Sequence, residues 1–443
     1  MPNALCVIGG GLAGCEAAVQ IARRGLPVRL YEMRPGVMTP AHRTGCLAEL
    51  VCSSSFKSDS PDTAHGLLKQ EMRALGSVTL ECADRTRVPG GDALCVDREA
   101  FAAAVADAVQ SNPLVEVVRE EVSAIPVDRP CIIATGPLTS PALTADIARL
   151  TGAQNLHFYD AIAPSVDADT IDRGAVFRQS RYDKGEPAYL NCPMTREQYE
   201  AFIDALTSAQ IACLHLEEEK NPAYFEGCLP VEVVAGRGRD TLAHGAMKPV
   251  GLTDPRTGRR PYAVVQLRQE NADATVYGLV GFQTQLRISE QQRVFRMIPG
   301  LERAEFVRYG AVHRNTYIDS PNILTPALHT RSDRSLFFAG QITGVEGYME
   351  SAAAGLAAGI SAVQVALGRE PIVFPKDTMI GALTDYVANC PVSDFQPTNS
   401  NLGILPPVAG RCPRRLRKQL KIERAREAMR RLLEERPELR TDT

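Results

Sequence analysis

The chain has 443 residues, of which 44% are hydrophobic and 23% are charged, and its formal net charge is -3. This length predicts two or three globular domains, and the charge excludes a uniformly basic nucleic-acid-binding protein while leaving a local basic surface open. The twelve cysteines are scattered without C-x-x-C spacing, so we expect a reduced cytoplasmic protein with no disulfide framework, no metal site and no membrane-spanning segment.

The N-terminus has the pattern of a β-α-β unit. Residues 4–8 form a short apolar run typical of a buried parallel strand, and a glycine-rich turn follows at once. Apolar residues recur at helical spacing from 15 to 24, Gly25 ends that helix, and residues 27–31 have the pattern of a second strand.

The turn matches the G-x-G-x-x-G fingerprint of dinucleotide binding. Gly9 permits the tight turn, Gly11 lets the backbone approach a pyrophosphate, and Gly14 lets the helix pack on the strand. Glu32 ends the second strand, where an acid accepts hydrogen bonds from an adenosine ribose. The predicted cofactor-binding residues here are Gly9, Gly10, Gly11, Leu12, Ala13, Gly14 and Glu32.

The middle of the chain changes in style twice. Residues from about 35 to 92 are rich in Gly, Pro, Ser and Thr with short helical patches, so we interpret them as functional loop rather than framework. A helix over 99–110 and strands at 115–118 and from 131 resume the first domain. Residues from about 170 to 310 then alternate amphipathic and charged pieces, including a helix over 195–209 and a strand over 262–267.

A second glycine segment lies three hundred residues downstream. Residues 336–339 form a buried strand that delivers Gly340 into a small-residue helix over about 347–367, which offers further backbone N–H groups to the flavin end of a cofactor and favours FAD over NAD. The predicted cofactor-binding residues of this segment are Gly340, Gln341, Val345, Glu346, Gly347 and Tyr348.

The predicted fold class is α/β, with a Rossmann-type FAD-binding domain interrupted by an inserted α+β domain. We expect residues 1–175 to form the first part of the FAD-binding domain, 176–310 the insertion, and 311–443 the second part, which closes with a basic helix at about 413–435.

Several motifs together resemble one family over essentially the full length of the chain, the folate- and FAD-dependent tRNA (uracil-5-)-methyltransferases. The first and last motifs are shared with related flavoproteins that modify wobble uridine, and the two cysteine motifs separate the families. The motifs lie at residues 7–14, Glu49-Leu50-Val51-Cys52-Ser53, Asn191-Cys192-Pro193, Phe225-Glu226-Gly227-Cys228-Leu229-Pro230, and 340–348.

The resemblance implies transfer of the methylene of 5,10-methylenetetrahydrofolate to C5 of a T-loop uridine at position 54 of tRNA. It also implies FAD as methylene carrier and hydride donor, NAD(P)H as reductant, and Cys52 and Cys228 as catalytic thiols. No stable protein partner is expected.

This chemistry suits thiols. Uracil C5 is a poor nucleophile, and a thiolate that adds at C6 converts the ring into an enolate that attacks an electrophilic methylene. We assign Cys228 as that nucleophile and Cys52 as the assisting thiol, although the residue types alone leave the two roles interchangeable. Cys6, Cys15 and Cys131 fall on strand or helix patterns and are expected in the core, whereas Cys46 and Cys192 stay undecided.

Basic residues for tRNA fall in three groups. Residues 411–436 contain eleven Arg or Lys against four Glu, a pattern that also fits a solvated helix with internal ion pairs. Tyr309, His313 and Arg314 are candidates for stacking on a base or on folate. Further candidates around the insertion are Lys248, Arg256, Arg259, Arg260, Arg287, Arg293 and Arg296.

Three other functions stay open from the residues. The nearest is the wobble-uridine carboxymethylaminomethyl-modifying flavoenzyme, which a modified anticodon product would indicate. A flavin-containing tRNA-binding protein without catalysis would keep full tRNA affinity after loss of both thiols. A plain NAD(P)H–flavin oxidoreductase would turn over without folate or RNA.

Overall fold

The structure is a computed structural model, and it describes residues 4–152, 156–212, 229–408, 410 and 413–440. In chain order its strands are β1 Leu5–Ile8, β2 Val28–Tyr31, β3 Ser55–Ser58, β4 Arg87–Val88, β5 Ala93–Val96, β6 Val115–Val118, β7 Cys131–Ile133, β8 Leu156–Ala161, β9 Ser165–Asp167, β10 Phe177–Arg178, β11 Tyr189–Met194, β12 Ala263–Gln269, β13 Val276–Leu279, β14 Phe306–Arg308, β15 Val312–Tyr317 and β16 Leu336–Phe338.

The helices predicted over 15–24, 99–110, 195–209, 347–367 and 413–435 are confirmed to within about three residues, and the structure has further helices between them. In chain order they are α1 Leu12–Arg23, α2 Ala64–Ala74, α3 Val78–Arg85, α4 Arg98–Gln110, α5 Pro141–Thr151, α6 Arg196–Thr207, α7 Val231–Gly236, α8 Thr241–His244, α9 Ile288–Phe295, α10 Ser320–Ile323, α11 Tyr348–Ala366, α12 Met379–Asn389 and α13 Arg414–Glu435.

A five-stranded parallel sheet forms the centre of the first layer, in the order β16-β7-β1-β2-β6. The apolar runs that predict buried strands lie here, because both faces of a parallel sheet are covered by helices. β1 pairs with β2 on one side and with β7 on the other, so the glycine turn that follows β1 lies at the middle of the sheet edge. The α/β prediction is confirmed.

Helix α11 packs on α1 with almost no side-chain spacer. A Cβ at Gly355 would overlap the carbonyl oxygen of Ala13, and a Cβ at Gly359 would lie 2.8 Å from the carbonyl oxygen of Ala17. α11 is long and apolar enough to cross a membrane. However, 83% of its 18-residue apolar stretch is buried inside the protein, so α11 is a core helix. Its small residues bring the glycine turn after β1 close to the segment after β16.

A six-stranded antiparallel sheet forms the second layer, in the order β10-β11-β12-β13-β9-β14. Its apolar face packs on α6 through Tyr199, Phe202 and Leu206, and its core is separate from that of the first layer. The β8–β15 pair carries the chain into and out of this layer. The sheet begins at Ser165 and ends at Arg308, and the domain boundaries at 176 and 310 stay a prediction.

Short helical patches were expected within residues 35–92, but the interpretation of this region as loop rather than framework is wrong for α2 and α3, which belong to the first core. Leu67 and Met72 of α2 are fully buried in the first core. The helical pattern is obscured because two charged residues of α2 are buried as well. Lys69 Nζ donates to the Ser58 carbonyl (2.8 Å), and the Glu71 carboxylate accepts backbone N–H groups of the first turn of α12.

Candidate functional site

A cleft opens at the carboxyl edge of the parallel sheet, the edge at which α/β sheets bind ligands. It brings together four segments that are far apart in sequence: the turn after β1, the end of β2, the loop after β7 and the segment after β16. The lining residues from these segments are 8–13, 31–34 and 134–140, with Gly340, Gln341, Tyr348 and Ser351.

The turn after β1 has the geometry of a phosphate-binding turn. Gly9 has a φ of +102°, and a Cβ there would lie 2.5 Å from the Ala134 carbonyl oxygen, so only glycine fits. A Cβ at Gly14 would overlap the Gly9 carbonyl oxygen, whereas a Cβ at Gly11 would enter open space of the cleft. α1 begins after Gly11 with no side-chain cap, so its N-terminus presents backbone N–H groups to an anion. These features fit a dinucleotide pyrophosphate.

Glu32 lines the cleft, as predicted, but its carboxylate also holds protein groups. Oε2 accepts the Gly10 N–H (2.9 Å), and Oε1 accepts the backbone N–H and the Nε–H of Arg34, both at 2.9 Å. Burial raises the pKa of Glu32, but the hydrogen bonds and charge of Arg34 outweigh burial and hold this pKa below its usual value. Glu32 is therefore a fixed carboxylate that braces the glycine turn at the predicted adenosine end.

Only half of the predicted cofactor-binding residues in the downstream glycine segment line the cleft. Gly340, Gln341 and Tyr348 line the cleft. The other three predicted residues are not among those lining it: Val345 is buried, Glu346 accepts a hydrogen bond from Gln341 Nε2 (2.6 Å), and Gly347 begins α11 with a φ of +119°. Their contact with a cofactor stays a prediction.

Replacing Gly11 by alanine tests whether the turn binds a cofactor. The fold should stay intact, because the backbone φ of -77° suits alanine and the methyl group enters open space. FAD affinity should fall at least about tenfold, because that space is where a pyrophosphate must approach. The measurement is flavin content after purification and the FAD Kd by fluorescence titration. Gly236→Ala, at an exposed position with equally open space, is the control, and an unchanged FAD Kd for Gly11→Ala would contradict the assignment.

Cys52 lies beside the cleft on a loop tied to the downstream segment. Cys52 is half-buried. Tyr348 Oη accepts hydrogen bonds from the backbone N–H groups of Cys52 (2.7 Å) and Ser53 (3.2 Å). Burial, and then the charge on Cys52, raise the pKa of Tyr348, so this phenol stays neutral. Because Tyr348 also lines the cleft, it joins the Cys52 loop to the predicted flavin end.

Two arginines hold the backbone of the same loop. Arg98 and Arg308 donate to the Cys52 carbonyl oxygen at 3.4 and 3.2 Å, and Arg308 also donates to the Val51 carbonyl oxygen at 3.1 Å. Behind them lies Glu270, a buried carboxylate 2.9 Å from Arg98 and 3.8 Å from Arg308. Arg98 of the first layer and Arg308 of the second therefore hold this loop together.

The charges in this cluster do not cancel. Burial raises the pKa of Glu270, but Arg98, Arg308 and Arg268 together hold it below its usual value, so Glu270 is ionised at neutral pH. Burial and the charge of Arg98 lower the pKa of Arg308 to about 10, while Glu270 and the charge on Cys52 raise it. Three arginines therefore face one carboxylate, so the fixed charge beside the Cys52 loop is positive.

A second cavity, of about 770 Å³, adjoins the first across this loop. Glu49 and Val51 line both cavities, so the loop is the wall between them. Arg98, Arg308 and Tyr309 also line the second cavity, whose size is in the range of small-molecule sites. Cys52 is not among the residues that line either cavity; it directly follows Val51, which lines both.

The remaining cysteines fall into three groups. Cys228, the second predicted thiol, lies outside the described residues together with 225–227 of its motif, so its role stays a prediction. Cys6, Cys15 and Cys131 are buried in the first core, as predicted. The two undecided cysteines separate: Cys192 is buried in the second core, where burial raises its pKa, and Cys46 is exposed and lines the second cavity.

The C-terminal helix α13 has the character of a solvated, self-paired helix over its second half. Arg430 contacts Glu427 (2.7 Å) and Glu434, and Arg431 contacts Glu427 (2.7 Å). Arg424 pairs with Asp377 at 3.0 Å. Of the three stacking candidates, Tyr309 lines the second cavity and stacks on Phe306 with ring centroids 5.5 Å apart, whereas the side chains of His313 and Arg314 lie outside the described part.

The sequence analysis missed the arginine cluster. Arg98 follows β5 by two residues, Glu270 directly follows β12, and Arg308 ends β14. Charged residues at strand ends were the available signal, but nothing in the sequence places three distant strand ends beside Cys52. The loop after β7 was also missed, although the run that ends in Gly136 has the same strand-to-glycine pattern as β1.

Comparisons with known proteins show the family to which this chain belongs. The family model described as glucose inhibited division protein A matches residues 4–370. A protein of Pelotomaculum thermopropionicum, named methylenetetrahydrofolate--tRNA-(uracil-5-)-methyltransferase, is 59% identical over 91% of this chain and 92% of its own length. A protein of Desulforudis audaxviator with the same name is 56% identical over 98% of both chains.

Among solved structures, GidA of Aquifex aeolicus has a similar fold. It matches with a TM-score of 0.68 and 19% identity over 98% of this chain and 75% of that one. At this identity the likeness shows the fold alone. The two cores, with a parallel sheet beside an antiparallel one, are therefore an arrangement that this chain shares with a known structure.

Proposed function

This chain belongs to the glucose inhibited division protein A family, among the methylenetetrahydrofolate--tRNA-(uracil-5-)-methyltransferases, and we propose that it methylates C5 of the T-loop uridine at tRNA position 54 with the one-carbon unit of 5,10-methylenetetrahydrofolate. The observation that carries the site assignment is the position of Cys52, on the loop that separates a dinucleotide-type cleft from a second cavity. Because Val51 next to it lines both spaces, Cys52 is adjacent to the proposed cofactor and substrate sites.

FAD is the proposed cofactor of the first cleft, and NAD(P)H the proposed reductant. Bound flavin supplies a carrier for the one-carbon unit and a hydride. The residues that would hold it are the turn at Gly9–Gly11 and the N-terminus of α1 at the pyrophosphate, Glu32 at the adenosine, and Gln341 and Tyr348 at the other end. The open space at Gly11 supports this fit.

The second cavity is the proposed place of the reacting substrate ring. It adjoins the Cys52 loop, and its volume admits an extruded uridine or a pterin. Arg98 and Arg308 bring positive charge to its wall next to Cys52. Negative charge that develops on a uracil ring after thiolate addition would be stabilised there.

Cys52 is the proposed proton acceptor at C5, and Cys228 the proposed nucleophile at C6. When the uracil enolate has attacked the one-carbon unit, the C5 proton must leave before the C6–S bond breaks. A Cys52 thiolate in the positive field of Arg98 and Arg308 can take that proton. The bond between the one-carbon unit and its carrier then breaks to leave an exocyclic methylene at C5. Hydride addition to this methylene would give the methyl group, and the resulting enolate would expel the Cys228 thiolate from C6 and restore the C5–C6 double bond.

The test is a product assay with the full-length protein. Wild-type enzyme, unmodified tRNA transcript, methylenetetrahydrofolate and NADH or NADPH should give 5-methyluridine at position 54, identified by nucleoside mass spectrometry and primer mapping. Omission of folate should abolish the product. A product at the wobble position, or equal turnover without folate, would contradict the proposed function. The 54–59% identity to named methyltransferases, against 19% to GidA, favours the uridine-54 product.

A further inference from the structure

Two loops of the antiparallel layer are fixed to each other beside β11. Residues 179–188 connect β10 to β11, and residues 245–262 precede β12. Tyr182 N–H donates to the Gly251 carbonyl oxygen (2.8 Å), and Thr253 N–H donates to Gln179 Oε1 (3.0 Å). We call the exposed face of residues 179–186 and 248–260 the Tyr182 surface.

Tyr182 itself has an unusual conformation for an exposed aromatic residue. It is 62% exposed, and its φ of +59° lies in the left-handed region that side chains other than glycine rarely adopt. The ring lies against Gly251, where a Cβ would come within 3.0 Å of both Cδ atoms. Strained residues of this kind are typical of functional sites, and a fixed, exposed ring is a platform for base stacking.

Several cations of this surface have no partner among the residues that the structure describes. The side chains of four exposed residues make no hydrogen bond or ion pair with the described part of the chain: Lys184, Lys248, Arg259 and Arg260. The exposed acids of the same loops are Asp183, which accepts a hydrogen bond from Gln179, and Glu186; Asp254 is paired with Arg256 at 2.9 Å. The surface therefore has an excess of positive charge, unlike α13, where Arg430 and Arg431 are neutralised by glutamates.

A short path of hydrogen bonds connects this surface with the Cys52 loop. Arg181 Nε donates to Gln266 Oε1 (3.0 Å) on β12, and two residues further along the same strand Arg268 donates to Ser53 Oγ (2.6 Å), next to Cys52. Residues two apart on a strand are separated by roughly 7 Å, so these two contacts lie close to each other along β12.

We propose that the Tyr182 surface binds tRNA, its four unpaired cations contacting backbone phosphates and the Tyr182 ring stacking on an unpaired base next to the target uridine. The proposal rests on the proposed function, because it takes the substrate to be tRNA. Extraction of a uridine from a folded loop leaves its neighbours unstacked, and an aromatic platform with phosphate contacts compensates for that loss.

The test measures the Kd of unmodified tRNA transcript for the FAD-loaded full-length enzyme by filter binding at several salt concentrations. Lys248→Ala/Arg259→Ala/Arg260→Ala should raise the Kd at least about tenfold and reduce the slope of log K against log salt by about 2. Tyr182→Ala should raise the Kd about tenfold, and Tyr182→Phe should keep wild-type affinity, because stacking needs the ring and not the hydroxyl.

The matched control is Arg426→Ala/Arg430→Ala/Arg431→Ala, which removes the same number of positive charges from α13. It should bind tRNA like the wild type, and equal weakening by both triple variants would overturn the proposal. If the Lys248→Ala/Arg259→Ala/Arg260→Ala variant binds tRNA with wild-type affinity, the proposed tRNA surface is wrong. The proposed function would still hold if the wild-type enzyme produces 5-methyluridine. Loss of binding to polyglutamate with unchanged tRNA affinity would assign the surface to an acidic protein instead.

Discussion

Cys52→Ala should lower the rate of 5-methyluridine formation by at least about a hundredfold, the typical contribution of a positioned proton-transfer group. Flavin content and tRNA Kd should stay at wild-type values, because the loop is held through the backbone of residue 52 by Tyr348, Arg98 and Arg308. Those contacts do not involve the thiol. The measurement is a single-turnover methylation assay with separate flavin and tRNA-binding measurements.

Cys46→Ala is the matched control for that loss. Cys46 lies six residues earlier on the same loop, is exposed and lines the second cavity, so it shares the surroundings without the arginine contacts. It should methylate at a rate close to wild type. A Cys52→Ala enzyme that retains half of the wild-type rate would show that this thiol has no catalytic role.

Separate alanine variants of Cys52 and Cys228 distinguish the two proposed roles. If Cys228 adds to C6 and Cys52 takes the C5 proton, Cys52→Ala should accumulate a covalent protein–tRNA complex that survives denaturing electrophoresis, and Cys228→Ala should form none. The opposite pattern would exchange the roles. Cys228 lies outside the described residues, so this assignment depends on chemistry and on the family resemblance alone.

The cofactor half of the site was readable from the sequence because its determinants are local. A strand, a glycine turn and a helix within one β-α-β unit fix where Gly9 and Gly11 lie, and Glu32 follows at the end of the next strand. What the sequence did not show is that Arg34 occupies the carboxylate of Glu32. That contact depends on the turn after β2, which no periodic pattern describes.

The substrate half was not readable, because it is assembled across two layers. Arg98 belongs to the first layer and Arg308 to the second, and only the packing of one sheet against the other brings both to the Cys52 carbonyl oxygen. Similarly, eleven basic residues over 411–436 gave an electrostatic pattern, but partners such as Asp377 come from other segments. The charge of this segment predicted a binding surface for tRNA, but in the folded protein several of its arginines form ion pairs with acidic residues.

Gly355→Ala should have the second large effect, a loss of about 3 kcal/mol or more in the free energy of unfolding. Replacing a glycine inside a helix by alanine normally stabilises by about 1 kcal/mol, so the intrinsic preference acts in the opposite direction. Steric overlap makes this substitution destabilising, because the new Cβ would overlap the Ala13 carbonyl oxygen. This oxygen belongs to the backbone and cannot rotate away as a side chain could. The measurement is chemical denaturation of the flavin-free protein.

The same substitution should also reduce flavin binding, since α1 and α11 carry opposite walls of the cleft. Ala13 lies in the first turn of α1, and Tyr348 and Ser351 lie in the first turn of α11, so separating the helices widens the space between them. Gly236→Ala, where a Cβ meets no atom within 4 Å, should change neither stability nor flavin content. A Gly355→Ala protein with wild-type stability and flavin content would mean that the two helices do not pack backbone to backbone, and the cleft between the two glycine segments would lose its structural basis.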